Sequence, residues 1–145
     1  MFVVRRPLLA AITLAAGSML GVFAAVPAWA ASPVPPTITA NPNNLMVNTD
    51  TTLTGRHFAP GETIRLTECS RTTWVVTQHP CDTNNTVTVT TNATGGFTTP
   101  FKAELCPGGK RVGPTAVRCY IGIPKPSGVD TVVLKAAVAI TVTYP

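Results

Sequence analysis

From Val132 to Tyr144 an apolar residue stands at every second position, through Leu134, Ala136, Val138, Ile140 and Val142. Period two marks a half-buried strand, because successive strand side chains point to opposite faces of a sheet. A helix would instead need apolar residues three and four apart. The same alternation recurs upstream. Ile64 and Leu66 share one face, while Arg65, Thr67 and Cys69 share the other. Val87 and Val89 alternate with Thr86, Thr88 and Thr90, and Phe97, Thr99, Phe101 and Ala103 lie on one face of the next segment. Val117, Cys119, Ile121 and Ile123 then leave Arg118, Tyr120 and Gly122 on the opposite side. Ile38 with Ala40, and Leu53 with Gly55, complete a set of seven strands. Asn41-Pro42-Asn43-Asn44 and Phe58-Ala59-Pro60-Gly61 read as turns, and Asn92-Ala93-Thr94-Gly95-Gly96 as a hairpin turn. Short strands at such spacing predict an all-β sandwich. If Ile64 and Leu66 are core, Cys69 is not.

The N-terminus has a different composition. Arg5 and Arg6 precede an apolar run from Leu8 to Ala25 that ends at Ala28-Trp29-Ala30, a small-x-small cleavage signal. This is the pattern of a secretory signal peptide over residues 1–30. Val4 before the arginine pair and Pro7 after it favour general secretion over twin-arginine export. Residues 31–36, with Pro33, Pro35 and Pro36, form a leader that cannot join a central sheet. Residues 37–145 form one domain. No second apolar run is long enough to span a bilayer, so the exported part is expected to be extracellular or attached to the cell envelope, and monomeric.

Removing Arg5 and Arg6 from a formal charge of +5 leaves +3, carried by scattered residues of which only Lys110 and Arg111 are adjacent. A nucleic-acid binder normally shows a denser basic stripe, so direct DNA binding is the weaker expectation. All four cysteines lie in the exported part, where two disulfides are the default. Three pairings exist. We take the sequential one, Cys69 to Cys81 and Cys106 to Cys119, which closes loops of 13 and 14 residues. Each bridge would stabilise by about 3 kcal/mol through loop entropy. The wide cysteine spacing lacks the short ligand pairs of zinc sites, and neither a metal nor a cofactor is expected.

The stretch Glu68 to Asp82 concentrates chemistry: two cysteines, Trp74 at the expected tip of the disulfide loop, and His79. Catalysis finds no comparable support. No G-x-S-x-G elbow is present, no cysteine is left over as a nucleophile, and the carboxylates Asp50, Glu62, Glu68, Asp82, Glu104 and Asp130 sit singly, mostly at turns or strand ends. The chain reads as a non-enzyme.

With the strands placed, the domain resembles the neocarzinostatin family of secreted apoproteins. The resemblance covers most of residues 37–144. It rests on Thr39-Ala40-Asn41-Pro42, Leu53-Thr54-Gly55, Thr63-Ile64-Arg65-Leu66-Thr67-Glu68-Cys69 and Cys81, followed by Asn92-Ala93-Thr94-Gly95, Cys119-Tyr120-Ile121-Gly122-Ile123 and Val138-Ala139-Ile140-Thr141-Val142. It implies an immunoglobulin-like, seven-stranded antiparallel sandwich with a small lobe of ribbons and loops. It also implies a cleft whose floor is the Cys69–Cys81 bridge, holding an antibiotic chromophore non-covalently. Two departures reshape that cleft. Arg71 stands where the family has a tryptophan, and only Glu104 and Leu105 separate Ala103 from Cys106, where the family has an aromatic-rich ribbon. The enlarged loop Cys106 to Cys119 is then expected to form the second wall.

The resulting expectation is a hydrophobic or aromatic small molecule bound by Cys69, Cys81, Trp74, Thr67, Tyr120 and Arg65. Arg118 shares the off-core face. Phe97 and Phe101 are assigned to the core. The alternative is an envelope or surface interaction domain that kept the sandwich and lost the pocket.

Overall fold

Ten strands form in chain order within residues 34–145, the part of the chain that the computed structural model describes. The expected signal peptide and residues 31–33 of the leader lie outside the described residues. Val34 and Pro35 of the leader are exposed. The strands are β1 (Thr37–Asn41), β2 (Asn44–Met46), β3 (Thr49–Arg56), β4 (Thr63–Cys69), β5 (Thr73–Val75), β6 (Cys81–Thr90), β7 (Phe97–Ala103), β8 (Lys110–Gly113), β9 (Ala116–Pro126) and β10 (Thr131–Thr143). Seven have five residues or more and coincide with the alternating segments. The other three, β2, β5 and β8, are too short for alternation to register.

Two sheets face each other. The smaller has the order β1-β3-β7 and is antiparallel throughout. The larger runs β2-β10-β9-β4-β6, with β5 paired to β10 and β8 to β9. One of its pairs departs from the expected antiparallel arrangement: β2 runs parallel to β10, Leu45 opposite Val142. The core lies between the sheets. Ile38, Leu53, Phe97, Phe101 and Ala103 come from the smaller, and Ile64, Leu66, Cys119, Ile121, Ile140 and Val142 from the larger. This is an all-β sandwich whose faces follow the sequence alternation. Among the described residues no helix is long and apolar enough to cross a membrane.

The segment Asn92–Gly96 is not a hairpin, because β6 and β7 belong to different sheets. It is a crossover built on the Asn92 side chain, whose Oδ1 accepts hydrogen bonds from the N–H groups of Thr94 (3.0 Å) and Gly96 (2.9 Å). Gly95 sits at φ 73°, its carbonyl accepting from the Phe58 N–H of the β3–β4 turn (3.0 Å), and a Cβ there would stand 2.0 Å from the Phe58 carbonyl oxygen. Only glycine fits. Asn-rich turn chemistry serves a crossover as well as a hairpin, since it specifies a tight reversal and not the pairing of the strands beyond it.

The last strand is also less regular than its sequence. Between Lys135 and Val138 the register with β9 slips, and Ala136 adopts a φ of 54°. The extra residue of such a bulge exchanges the faces of the strand on either side. Ile140 and Val142 are therefore core, whereas Leu134 reaches the opposite face, where its Cβ closes over Gly122. Unbroken alternation hid this, because both sides of β10 meet apolar neighbours.

Candidate functional site

The face of the larger sheet opposite the core carries a cleft of about 420 Å³, within the range of small-molecule sites. Its floor comes from β4 and β9: Arg65 and Thr67 from the one, Ile123 and Pro124 from the other. The ladder between these strands pairs Thr67 with Gly122 and Cys69 with Tyr120. One wall is Trp74. It does not sit at the tip of a loop as expected but in β5, opposite Val132 of β10, and only 8% of its surface is exposed. Three neighbouring chemistries explain why a strand forms there: Thr73, Trp74 and Val75 all favour extended backbone.

The other wall is the return from β5 to β6 and the start of β6 itself: Val76, Gln78, His79, Pro80 and Cys81, then Thr83 and Thr86. Here the β4–β6 ladder opens. Thr67 pairs with Thr86 and Cys69 with Cys81, so β6 uses five steps where β4 uses two. The surplus residues fold on Asp82, whose Oδ1 accepts from the N–H groups of Asn84 (2.9 Å) and Asn85 (3.3 Å). The excursion carries Thr83 outward and leaves room above Thr67.

The disulfides are Cys69–Cys81 and Cys106–Cys119. The second belongs to the core cluster through both its cysteines, while neither Cys69 nor Cys81 does. Cys69 is nonetheless fully buried, beneath the bridge, and Cys81 is the member of the pair that lines the cleft. Alternation placed Cys69 off the core but did not foresee that it is fully buried there. The loop from Cys106 to Cys119 does not form the second wall: its β8 pairs with β9 at Lys110–Arg118, away from the cleft. Arg65, Thr67, Trp74 and Cys81 thus come together. Tyr120 lies at the far end of the β4–β9 ladder, half-buried, and contributes no surface to the cleft.

Glu68 is the residue whose place was least visible. Its side chain is fully buried among the inward residues of the sandwich edge. Oε2 accepts from Asn85 Nδ2 (2.8 Å) and from the Glu104 N–H (2.9 Å), and Asn85 Nδ2 also reaches the Lys102 carbonyl (2.9 Å). The group ties β4 and β6 of the larger sheet to the end of β7 in the smaller. Loss of hydration pushes its carboxyl up to about 7, against the two hydrogen bonds that favour the charged form and with small further contributions from Glu104 and Asp82. Oε1 has no hydrogen-bond partner. The signal for this was available: the parity that turns Ile64 and Leu66 inward turns Glu68 inward too.

No known protein-family profile matches the chain, and no curated protein matches it in sequence. Among solved structures, macromomycin is similar, at 20% identity and a TM-score of 0.48, over 76% of this chain and 99% of that one.

Proposed function

We propose that this protein is a non-enzymatic carrier that holds a hydrophobic, aromatic small molecule in the cleft above the Cys69–Cys81 bridge. The observation that carries the reading is the lining. A buried tryptophan, Val76, Pro80, Pro124 and the disulfide supply apolar surface, and a few hydroxyl and N–H donors converge on it. That division, mostly apolar with few placed polar groups, is what orients small ligands, and a tryptophan face is suited to stacking on a ring. The chain acts outside the cell, consistent with its two disulfides.

Native mass spectrometry on protein from its natural source tests this. Carriage predicts a co-purifying small molecule that is lost on denaturation. Repeated absence of one, together with no saturable change in tryptophan fluorescence across a panel of aromatic compounds, rejects it.

A further inference from the structure

The cleft has a charge bias that its apolar character does not require. Arg65 is the one charged side chain permanently present in the lining, and no aspartate or glutamate joins it. The two nearest acids in sequence are committed elsewhere. Asp82 turns its carboxylate to the N–H groups of Asn84 and Asn85, and Glu68 points to the other side of the sheet. Among the described residues the one salt bridge is Lys135–Glu62, so the Arg65 guanidinium faces no carboxylate. It is nevertheless held in place. Nη2 donates to the Thr83 carbonyl and to Thr86 Oγ1, both at 3.4 Å. Those long contacts come from the same β6 excursion that opens the cleft, and they leave Nη1 and Nε without a partner in the protein.

An exposed guanidinium at the edge of an apolar cleft, steadied on one nitrogen and with its other donors unpartnered, matches the planar, two-toothed geometry of a carboxylate. Resting on the carrier reading above, we infer that the ligand is an aromatic acid, its ring against Trp74 and its carboxylate on Arg65. Cations are disfavoured for the same reason, as nothing in the lining neutralises them. Gln78, held by Arg71 Nη1 at 3.2 Å, and His79 stand at the opposite rim.

Isothermal titration of the disulfide-bonded protein with three matched probes, biphenyl-4-carboxylic acid, biphenyl-4-carboxamide and biphenyl-4-ylmethylamine, tests the assignment. The acid should bind about tenfold or more tighter than the amide, and the amine most weakly, because charge-assisted hydrogen bonds are roughly twice as strong as neutral ones. The acid's advantage should shrink as salt rises. Arg65→Gln should bring acid and amide to within about twofold of each other, and Arg65→Lys should keep a reduced preference. Equal binding of acid and amide to the unsubstituted protein overturns the inference and leaves the carrier reading standing. So does a preference that survives Arg65→Gln undiminished, which would trace it to net charge alone. Failure of all three probes to bind overturns the inference, whereas the carrier reading falls only with the mass-spectrometric and fluorescence result given above.

Discussion

The two disulfides span almost equal stretches of chain, with sequence separations of 12 and 13 residues, yet they stand in opposite surroundings. Cys106–Cys119 lies between the sheets, in the core cluster with Ile121 and Ala103. Cys69–Cys81 lies on the far side of the larger sheet, where it joins β4 to β6 below the cleft. Loop entropy treats the pair alike. What differs is the neighbourhood each bridge organises: one secures packing, the other pins two strands together just beyond the point where their ladder opens. A sandwich needs the first kind of bridge. The second is tied to the surface that forms the cleft.

Removing each bridge as a pair of alanines sharpens the contrast. Loss of Cys106–Cys119 should cost about 4 kcal/mol, the loop term plus a cavity in the core. Urea unfolding should show this as one cooperative loss. Loss of Cys69–Cys81 should cost about 3 kcal/mol, and hydrogen exchange should rise first at β5 and the start of β6. Equal exchange profiles in the two variants would break the comparison.

Glu68 links the two regions and makes the stability of the fold depend on pH. Below its ordinary value near 4.5 the carboxyl is protonated in both folded and unfolded chains, and the fold bears no cost of ionisation. Between 4.5 and about 7 the unfolded chain releases a proton that the folded one retains. Stability from this group therefore falls as pH rises through that window, by roughly 3 kcal/mol, and is flat above it. Urea midpoints at pH 5 and pH 8 should differ accordingly. Glu68→Gln keeps an acceptor for Asn85 and the Glu104 N–H while removing the charge, and it should flatten the profile. An unchanged slope in that variant would remove Glu68 as its source.

A smaller effect marks the core side. Phe97 of β7 packs over Gly55 of β3, where an added Cβ would come within 1.9 Å of its ring. Phe97 also packs against Phe58 with the rings tilted by 48° and their centroids 5.6 Å apart. Gly55→Ala should cost about 1 to 3 kcal/mol by overpacking, with no change in the pH slope that Glu68 sets. Thermal denaturation at pH 5 and pH 8 checks both statements.

Much of this architecture was legible in the sequence, and the reason is the period of the pattern. Ile64, Leu66, Cys119, Ile121, Ile140 and Val142 face inward because alternation in a strand leaves them no other choice. Arg65 and Thr67 reach the cleft by the same rule. What could not be read was anything that depends on which strands are neighbours. The Asn92–Gly96 turn gave no sign that its flanking strands part to different sheets. Trp74 carried no sign that β10 would recruit it into a ladder. The cleft itself arises from unequal spacing between β4 and β6, a property of the pair and not of either strand. Tyr120 was placed on the correct face but at the wrong end of it, since face follows from parity and position along the ladder does not.

On the proposed function, the Cys69–Cys81 face, rather than the core or the smaller sheet, receives the ligand. A titration with biphenyl-4-carboxylic acid followed by amide chemical shifts tests it directly. The largest shifts should fall at Arg65, Thr67, Trp74, Cys81 and Ile123. Shifts concentrated instead at Thr54, Arg56, His57 and Thr98, which line a polar depression of about 560 Å³ on the smaller sheet, would contradict it.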